Sequence, residues 1–112
     1  MDVSHAIDGF AALAQPTRLR VFRLLMTAGP DGLRAGELAE RLAIPHNTLS
    51  THLGLLVHAG LLGSRREGRV VQYAIDLDGT RRLVDFLVAD CCNGRPELCA
   101  PIADALAKEP CC

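Results

Sequence analysis

Apolar residues recur at helical spacing in three segments of the first half of the chain. Pro16 suits the first turn of the second segment, because its ring holds φ near the helical value. A Gly-Pro-Asp-Gly sequence at residues 29–32 then ends that segment. The pattern predicts helices over residues 3–14, 17–28 and 35–42.

The second half of the chain adds a fourth helix, a hairpin and a fifth helix. The fourth helix is predicted over residues 46–59, and Gly60 follows where glycine commonly ends a helix. Two β-prone runs, residues 61–66 and 70–75, surround a glycine-containing turn and predict a β-hairpin. A fifth helix over residues 79–92 has an apolar surface wide enough for a core and a partner. This order is typical of a mainly α fold with a β-hairpin, the winged helix-turn-helix.

The predicted fourth helix has a polar beginning and an apolar continuation. Leu49, Leu53 and Leu56 repeat at spacings of four and three, which would fix the helix to the core. The polar residues before and between them would point outward, as they do in a recognition helix that reads base edges. Asn can form two hydrogen bonds to adenine, and Ser or Thr can bind bases or phosphates. Taken alone, this pattern also suits residues that only cap and solvate a helix.

Three arginines surround the turn of the predicted hairpin. Arginines on a protruding wing suit phosphate or minor-groove contacts, whereas a single one would more often be a solvated surface charge. Together with the polar helix start, they favour DNA binding. The predicted DNA-binding residues are His46, Asn47, Thr48, Ser50, Thr51, His52, Arg65, Arg66 and Arg69.

Charge is unevenly distributed along the 112 residues, although the net charge is only −1. Residues 18–69 hold eight arginines and four acidic residues, whereas residues 76–112 hold four basic and seven acidic residues. The middle of the chain can therefore face phosphate. No apolar run approaches the roughly 20 residues of a membrane span, and the N-terminus does not resemble a signal peptide. A cytoplasmic protein with no membrane partner is expected.

Five short segments occur here as a linked set: QPTRLR (15–20), ELA (37–39), TLSTHL (48–53), AGL (59–61) and RREGR (65–69). Together they resemble the ArsR/SmtB family of metal-responsive transcriptional repressors. The resemblance implies a homodimer, joined through the first and fifth helices, that binds double-stranded operator DNA and releases it when an inducer binds. Pro45, His46, Asn47 and Thr51 depart from the family's commoner recognition residues, so the operator sequence cannot be carried over.

All five cysteines lie near the C-terminus. In a cytoplasmic protein, such cysteines are more often ligands or redox thiols than structural disulfides. Cys91 and Cys92 would diverge by about 100° on a regular helix, but they can converge where the helix unwinds at residues 93–94. Cys99 would lie in the first turn of a following helix, where the helix N-terminus and Arg95 favour the thiolate. Three soft sulfurs can then close on one thiophilic ion.

Two kinds of ion fit these thiolates. Three close cysteines suit the trigonal coordination of trivalent arsenic or antimony better than structural zinc, which takes four ligands. A fourth zinc ligand could nevertheless come from Asp90, from the partner subunit's His5, or from Cys111 or Cys112.

The resemblance favours arsenic. The Cys-Cys-x6-Cys sequence is similar to the tail of those arsenite repressors whose site follows the fifth helix. It implies that As(III), or Sb(III), is the inducer ligand of Cys91, Cys92 and Cys99. The third-helix cysteines of the best-known arsenic-responsive members are missing, as is the fifth-helix His/Asp pattern of the zinc-sensing members. Cys111 and Cys112 have no match and belong either to a flexible tail or to accessory thiols.

Two alternatives remain for the regulator. It can be a thiol-redox sensor, in which oxidation or persulfidation of paired thiols releases DNA. It can also be a winged-helix DNA-binding protein with structural or sensory zinc or cadmium. An enzyme is not expected, because the chain has no Cys-x-x-Cys at a helix start and no cysteine in a phosphate-cradling loop. A DNA-binding and dimerisation domain is predicted over residues 1–92, followed by a cysteine-containing tail over residues 93–112.

Overall fold

A computed structural model of the protein describes residues 1–90 and 101–102. Its helices and strands follow the predicted order, with one additional short strand and a π-helical turn. The helices are α1 (Val3–Leu13), α2 (Pro16–Ala28), α3 (Ala35–Leu42), α4 (His46–His58) and α5 (Leu77–Asp85). The strands are β1 (Leu33–Arg34), β2 (Leu62–Glu67) and β3 (Val70–Ile75), and the π-helical turn covers Phe86–Asp90.

The first two helices begin at side-chain caps. The Asp2 carboxylate accepts a hydrogen bond from the backbone N–H of His5 at 2.8 Å, and this bond lowers the pKa of Asp2 below its ordinary value. The Gln15 amide oxygen accepts from the backbone N–H of Arg18 at 2.9 Å, and Pro16 occupies the first turn of α2. Local sequence therefore sets both helix starts, which lie within one residue of the predicted positions.

Buried leucines from α2, α3 and α4 form the centre of the core. The predicted inner face of α4 is confirmed, because Leu49, Leu53 and Leu56 are each at most 1% exposed. Leu25 of α2 and Leu38 of α3 are fully buried in the same cluster. Burial of such side chains contributes roughly 1.5–3 kcal/mol each. The core therefore holds α4 by one face and leaves its other face to solvent.

The predicted hairpin is confirmed and belongs to a three-stranded antiparallel sheet of order β1-β3-β2. The extra strand β1 has only two residues, and Leu33 pairs with Tyr73. Such a short strand has no alternation of apolar and polar residues, so the sequence pattern did not reveal it. Gly32 leads into β1 with φ +72°, and a Cβ built there would lie 1.9 Å from the Tyr73 carbonyl oxygen. A glycine is therefore needed where β1 meets β3.

The fifth helix differs from its prediction. It begins at Leu77, two residues earlier than expected, because the Asp76 carboxylate accepts from the Gly79 N–H at 3.0 Å and caps it. Its α-helical geometry ends at Asp85, and the π-helical turn continues to Asp90. The last two residues of the predicted helix, 91 and 92, lie outside the described residues. Within residues 1–90 and 101–102, no helix is long and apolar enough to cross a membrane.

Candidate nucleic-acid interface

The first two turns of α4 present polar side chains to solvent. His46, Asn47, Thr48, Ser50 and Thr51 are all exposed, as the sequence predicted. Buried Leu49 lies among them and anchors this end of the helix to the core. These polar side chains can therefore reach a ligand without any rearrangement of the core.

Most of the hydrogen-bonding capacity at this helix start is unused within the described residues. Pro45 occupies the N-cap position and provides no side-chain cap. The Asn47 side-chain oxygen accepts from the backbone N–H of Thr48 at 3.0 Å, and the Thr51 hydroxyl donates to the Asn47 carbonyl at 3.4 Å. No bond of the Ser50 hydroxyl or of the Asn47 side-chain NH2 occurs in the same part of the chain. These groups are consequently available for base edges or phosphates.

His52 has a different environment from the other predicted DNA-binding residues of α4. It is half-buried, and its Nδ1 lies 3.3 Å from a terminal guanidinium nitrogen of Arg18 in α2. Position 52 lies at the edge of the core face of α4, because it follows Leu49 by three residues and precedes Leu56 by four. His52 therefore contacts the protein's own fold, which the polar pattern of residues 46–52 did not distinguish.

The three wing arginines differ in their partners. Arg65 Nε lies 3.1 Å from the Glu67 carboxylate, and a terminal nitrogen of Arg65 lies 3.5 Å from the Gln72 side-chain oxygen. The side chains of Arg66 and Arg69 are exposed and make no ion pair or hydrogen bond within the described residues. Gly68, with φ +64°, forms the turn between β2 and β3. Arg66 and Arg69 are thus the wing cations most available to phosphate.

A cleft of about 620 Å³ joins the start of α4 to the wing. Arg34, Glu37 and Glu40 line its α3 side, His46 lies at the start of α4, and Arg69 lies on the wing. Arg34 is not among the predicted DNA-binding residues, because it lies outside both the predicted fourth helix and the predicted hairpin. Pairing of β1 with β3 places it opposite Gln72. The structure therefore adds one exposed arginine between the two predicted elements.

Comparison with known proteins also indicates a helix-turn-helix DNA-binding protein. Residues 13–65 match the family model described as a helix-turn-helix domain. The chain is 30% identical to the transcriptional activator HlyU of Vibrio cholerae over 84 residues, and this alignment covers 75% of each protein. Over 103 residues it is 29% identical to a probable mercury resistance operon repressor of Streptomyces lividans, covering 92% of this chain and 71% of that protein.

Solved structures agree with these sequence matches. An ArsR-like transcriptional regulator from Rhodococcus sp. RHA1 superposes with a TM-score of 0.70 at 25% identity, covering 91% of this chain and 93% of that one. The homodimeric winged helix-turn-helix DNA-binding domain of a Mycobacterium bovis protein superposes with a TM-score of 0.64 at 28% identity, covering 79% and 81% of the two chains. The chain belongs to the ArsR family.

Membership of the ArsR family confirms the predicted fold class and the general function. The protein is a DNA-binding transcriptional regulator and not an enzyme, since the relatives that it matches are transcriptional regulators. Their names include both a repressor and an activator. Family membership therefore does not by itself fix the direction of regulation.

The predicted metal ligands of this ArsR-family chain lie outside the described residues, as do the accessory thiols Cys111 and Cys112. Within residues 1–90 and 101–102, no group of three or more His, Cys, Asp or Glu residues is arranged to hold a metal ion. His5, considered as a zinc ligand, lies with its Nδ1 3.0 Å from the Asp2 carboxylate. The ligands assigned from the sequence remain Cys91, Cys92 and Cys99.

Proposed function

We propose that this ArsR-family protein is a homodimeric repressor that releases operator DNA when trivalent arsenic binds Cys91, Cys92 and Cys99. Residues 1–92 would form the DNA-binding and dimerisation domain, and residues 93–112 the cysteine-containing tail. The observation that carries DNA binding is the exposed polar start of α4, which one cleft joins at His46 to Arg69 of the wing. A recognition helix and a wing use this arrangement to bind base edges and phosphates together.

Dimerisation through α1 and α5 is supported by the apolar residues on these helices. Val3 and Ile7 of α1 are 62% and 58% exposed, and Leu77 and Val84 of α5 are 66% and 37% exposed. Exposed apolar patches of this kind are typical of protein interfaces. A homodimeric structural relative supports the same assembly. Two copies of α4 would then contact half-sites about one helical turn of DNA apart.

Trivalent arsenic is favoured as the inducer by the donor set. Three thiolates match its trigonal coordination, and Sb(III) shares this preference for soft sulfur ligands. The related Streptomyces protein is named for mercury resistance, and mercury is another thiophilic ion. The alignment with that protein covers 92% of this chain, so the likeness extends well beyond the helix-turn-helix segment.

Release of DNA would be transmitted through α5. The π-helical turn that extends α5 ends at Asp90, the residue before Cys91. A ligand that draws Cys91 and Cys92 together would therefore change the end of a proposed dimer helix. That change would alter the separation of the two α4 helices. Coupling of this kind is typically worth about 1–3 kcal/mol between two sites.

The deciding experiment is a DNA-release titration of the full chain on a duplex that the protein selects from a random-sequence pool. Arsenite, antimonite, methylarsenite, cadmium, zinc and peroxide are compared by fluorescence anisotropy. Arsenite is expected to release the wild-type protein, but not the C91S/C92S/C99S variant, from the selected duplex. The matched control C111S/C112S should be released from DNA as the wild type is. Release of the triple variant by arsenite would refute the site. Release by peroxide or zinc alone would replace arsenic sensing with redox or zinc sensing.

The DNA-contacting residues are tested separately from the inducer. Arg66→Ala and Arg69→Ala are each expected to reduce the magnitude of the slope of log affinity against log salt by about 2, because each removes one phosphate contact from each subunit of the dimer. Arg65→Ala should change the slope less, since Arg65 is already paired with Glu67. Asn47→Ala is expected to weaken the selected duplex by at least about tenfold while leaving random-sequence DNA nearly unchanged. Equal effects of all three arginine variants would contradict the assigned wing contacts.

A further inference from the structure

The side chain of Arg18 connects the end of α1 to the middle of α4. Its Nε donates to the Ala12 carbonyl oxygen at 2.7 Å, and one terminal nitrogen lies 3.3 Å from His52 Nδ1. The last carbonyls of a helix have no partner within that helix, so the first of these bonds satisfies a group at the end of α1. Arg18 is half-buried, and Gln15 accepts from its backbone N–H. One planar group therefore bridges two helices.

The chemistry of the pair fixes the role of His52. A guanidinium only donates hydrogen bonds, so His52 Nδ1 must accept and the ring proton must be on Nε2. This arrangement uses the neutral form of the ring.

We propose that Arg18 and His52 are positioning residues that set the rotation of α4 about its own axis. The leucines that bury the inner face of α4 provide most of the attraction, but hydrophobic attraction is non-directional. The Arg18–His52 hydrogen bond is directional and joins the flank of α4 to α2. The Nε–Ala12 bond of the same guanidinium extends this connection to α1, a proposed dimer helix. His52 therefore serves base recognition through Arg18 and not by contacting DNA. The inference rests on the proposed role of α4 in reading DNA.

Two substitutions of His52 distinguish positioning from DNA contact. The side-chain oxygen of Asn is as many bonds from Cβ as His Nδ1, whereas the terminal atoms of Gln correspond to Nε2. His52→Asn can therefore keep the bond to Arg18, and His52→Gln cannot keep it in the same geometry. If His52 instead contacted DNA through Nε2, His52→Gln would be the better tolerated of the two.

The measurement is the ratio of affinities of the full chain for the selected duplex and for random-sequence DNA. H52N is expected to keep this ratio within about threefold of wild type, and H52Q to lower it by about tenfold or more, because a hydrogen bond to a charged group is lost. Random-sequence affinity should stay nearly unchanged, since it depends on phosphate contacts. General destabilisation would not produce this selective loss. The matched controls are H58N and H58Q, at an exposed position of the same helix.

Arg18→Lys gives a second test with a milder change. A lysine has one nitrogen, which cannot bond Ala12 and His52 in the geometry of the guanidinium fork. R18K should lower the affinity ratio as H52Q does, and the double variant R18K/H52Q should lower it little further, because both substitutions remove the same hydrogen bond.

Additive losses, equal ratios for H52N and H52Q, or better tolerance of H52Q would overturn the inference. If N47A also leaves the ratio unchanged, the proposed role of α4 fails with it. If N47A lowers the ratio, only the positioning role fails.

Discussion

Helices α4 and α5 use their apolar residues in opposite ways. In α4, Leu49, Leu53 and Leu56 are buried, and most of the outer face is polar. In α5, Leu83 is buried at 4% exposure, but Leu77 and Val84 remain 66% and 37% exposed. The inner leucines of α4 are therefore covered within one chain and only Leu55 of that helix is an exposed leucine, whereas α5 leaves both Leu77 and Val84 exposed. This difference separates a helix whose free face suits DNA from a helix whose free face suits a second subunit.

The largest expected effect is the loss of a core contact of α4. Leu53→Ala should lower the free energy of unfolding by about 2–5 kcal/mol, because it leaves a cavity in a closely packed core. Leu55→Ala is the matched control, since Leu55 belongs to the same helix but is 47% exposed. Its loss should be under about 1 kcal/mol. Urea unfolding at one fixed protein concentration measures both, and equal losses would contradict the division of α4 into two faces.

A charge on the free face of α5 should instead act on assembly. Val84→Asp is expected to raise the dimer dissociation constant by about a hundredfold or more, because an unpaired carboxylate is costly to bury. Val70→Asp on the wing is the matched control, because Val70 has the same residue type and the same 37% exposure. Sedimentation equilibrium should show a dimer for V70D and a monomer for V84D. A dimeric V84D would exclude this face of α5 from the interface.

The contact between the two helices is expected to be less costly to disturb. A Cβ at Gly79 in α5 would lie 1.7 Å from the carbonyl oxygen of Gly60, which follows α4. Gly79→Ala should therefore cost about 1–3 kcal/mol of stability through forced movement of the backbone. Gly63→Ala is the control, because a Cβ at Gly63 meets nothing within 4 Å. An unchanged melting temperature for G79A would show that α5 can move away from the end of α4 without cost.

The smallest expected effect is a gain in stability from a substitution on the outer face of α4. A Cβ at Gly54 would meet nothing within 4 Å, and the residue lies in the interior of the helix. Gly54→Ala should raise stability by about 0.5–1 kcal/mol, because glycine loses more backbone entropy in a helix. Gly60→Ala provides the contrast, since that site is equally open but has φ +81°. A lower melting temperature for G54A would mean that this face of α4 is not free.

Much of the α4 region could be predicted from its residues. The leucine spacing gave the buried face correctly, and the polar residues from His46 to Thr51 are exposed as expected. His52 could not be separated from them, because its surroundings depend on Arg18, which is 34 positions earlier in the chain. The same limit applies to Arg34, which reaches the cleft beside the wing only because β1 pairs with β3.

For α5 the sequence was less informative. The apolar residues of this segment predict a wide apolar surface correctly, but the predicted helix start is two residues late, because the Asp76 side chain caps the helix ahead of Leu77. The change to π-helical geometry after Asp85 was also not predicted, because it leaves the order of apolar residues unchanged.

The sequence by itself determined the order of helices and hairpin, the inner face of α4, the basic middle of the chain and the clustering of cysteines near the C-terminus. These features depend on residue spacing and local capping, which are properties of short segments. Among residues 1–90 and 101–102, tertiary structure decided which polar side chains of α4 are free, which wing arginines lack partners, and how much apolar surface α5 leaves exposed. Each of these depends on residues that are distant in the chain and adjacent only after folding.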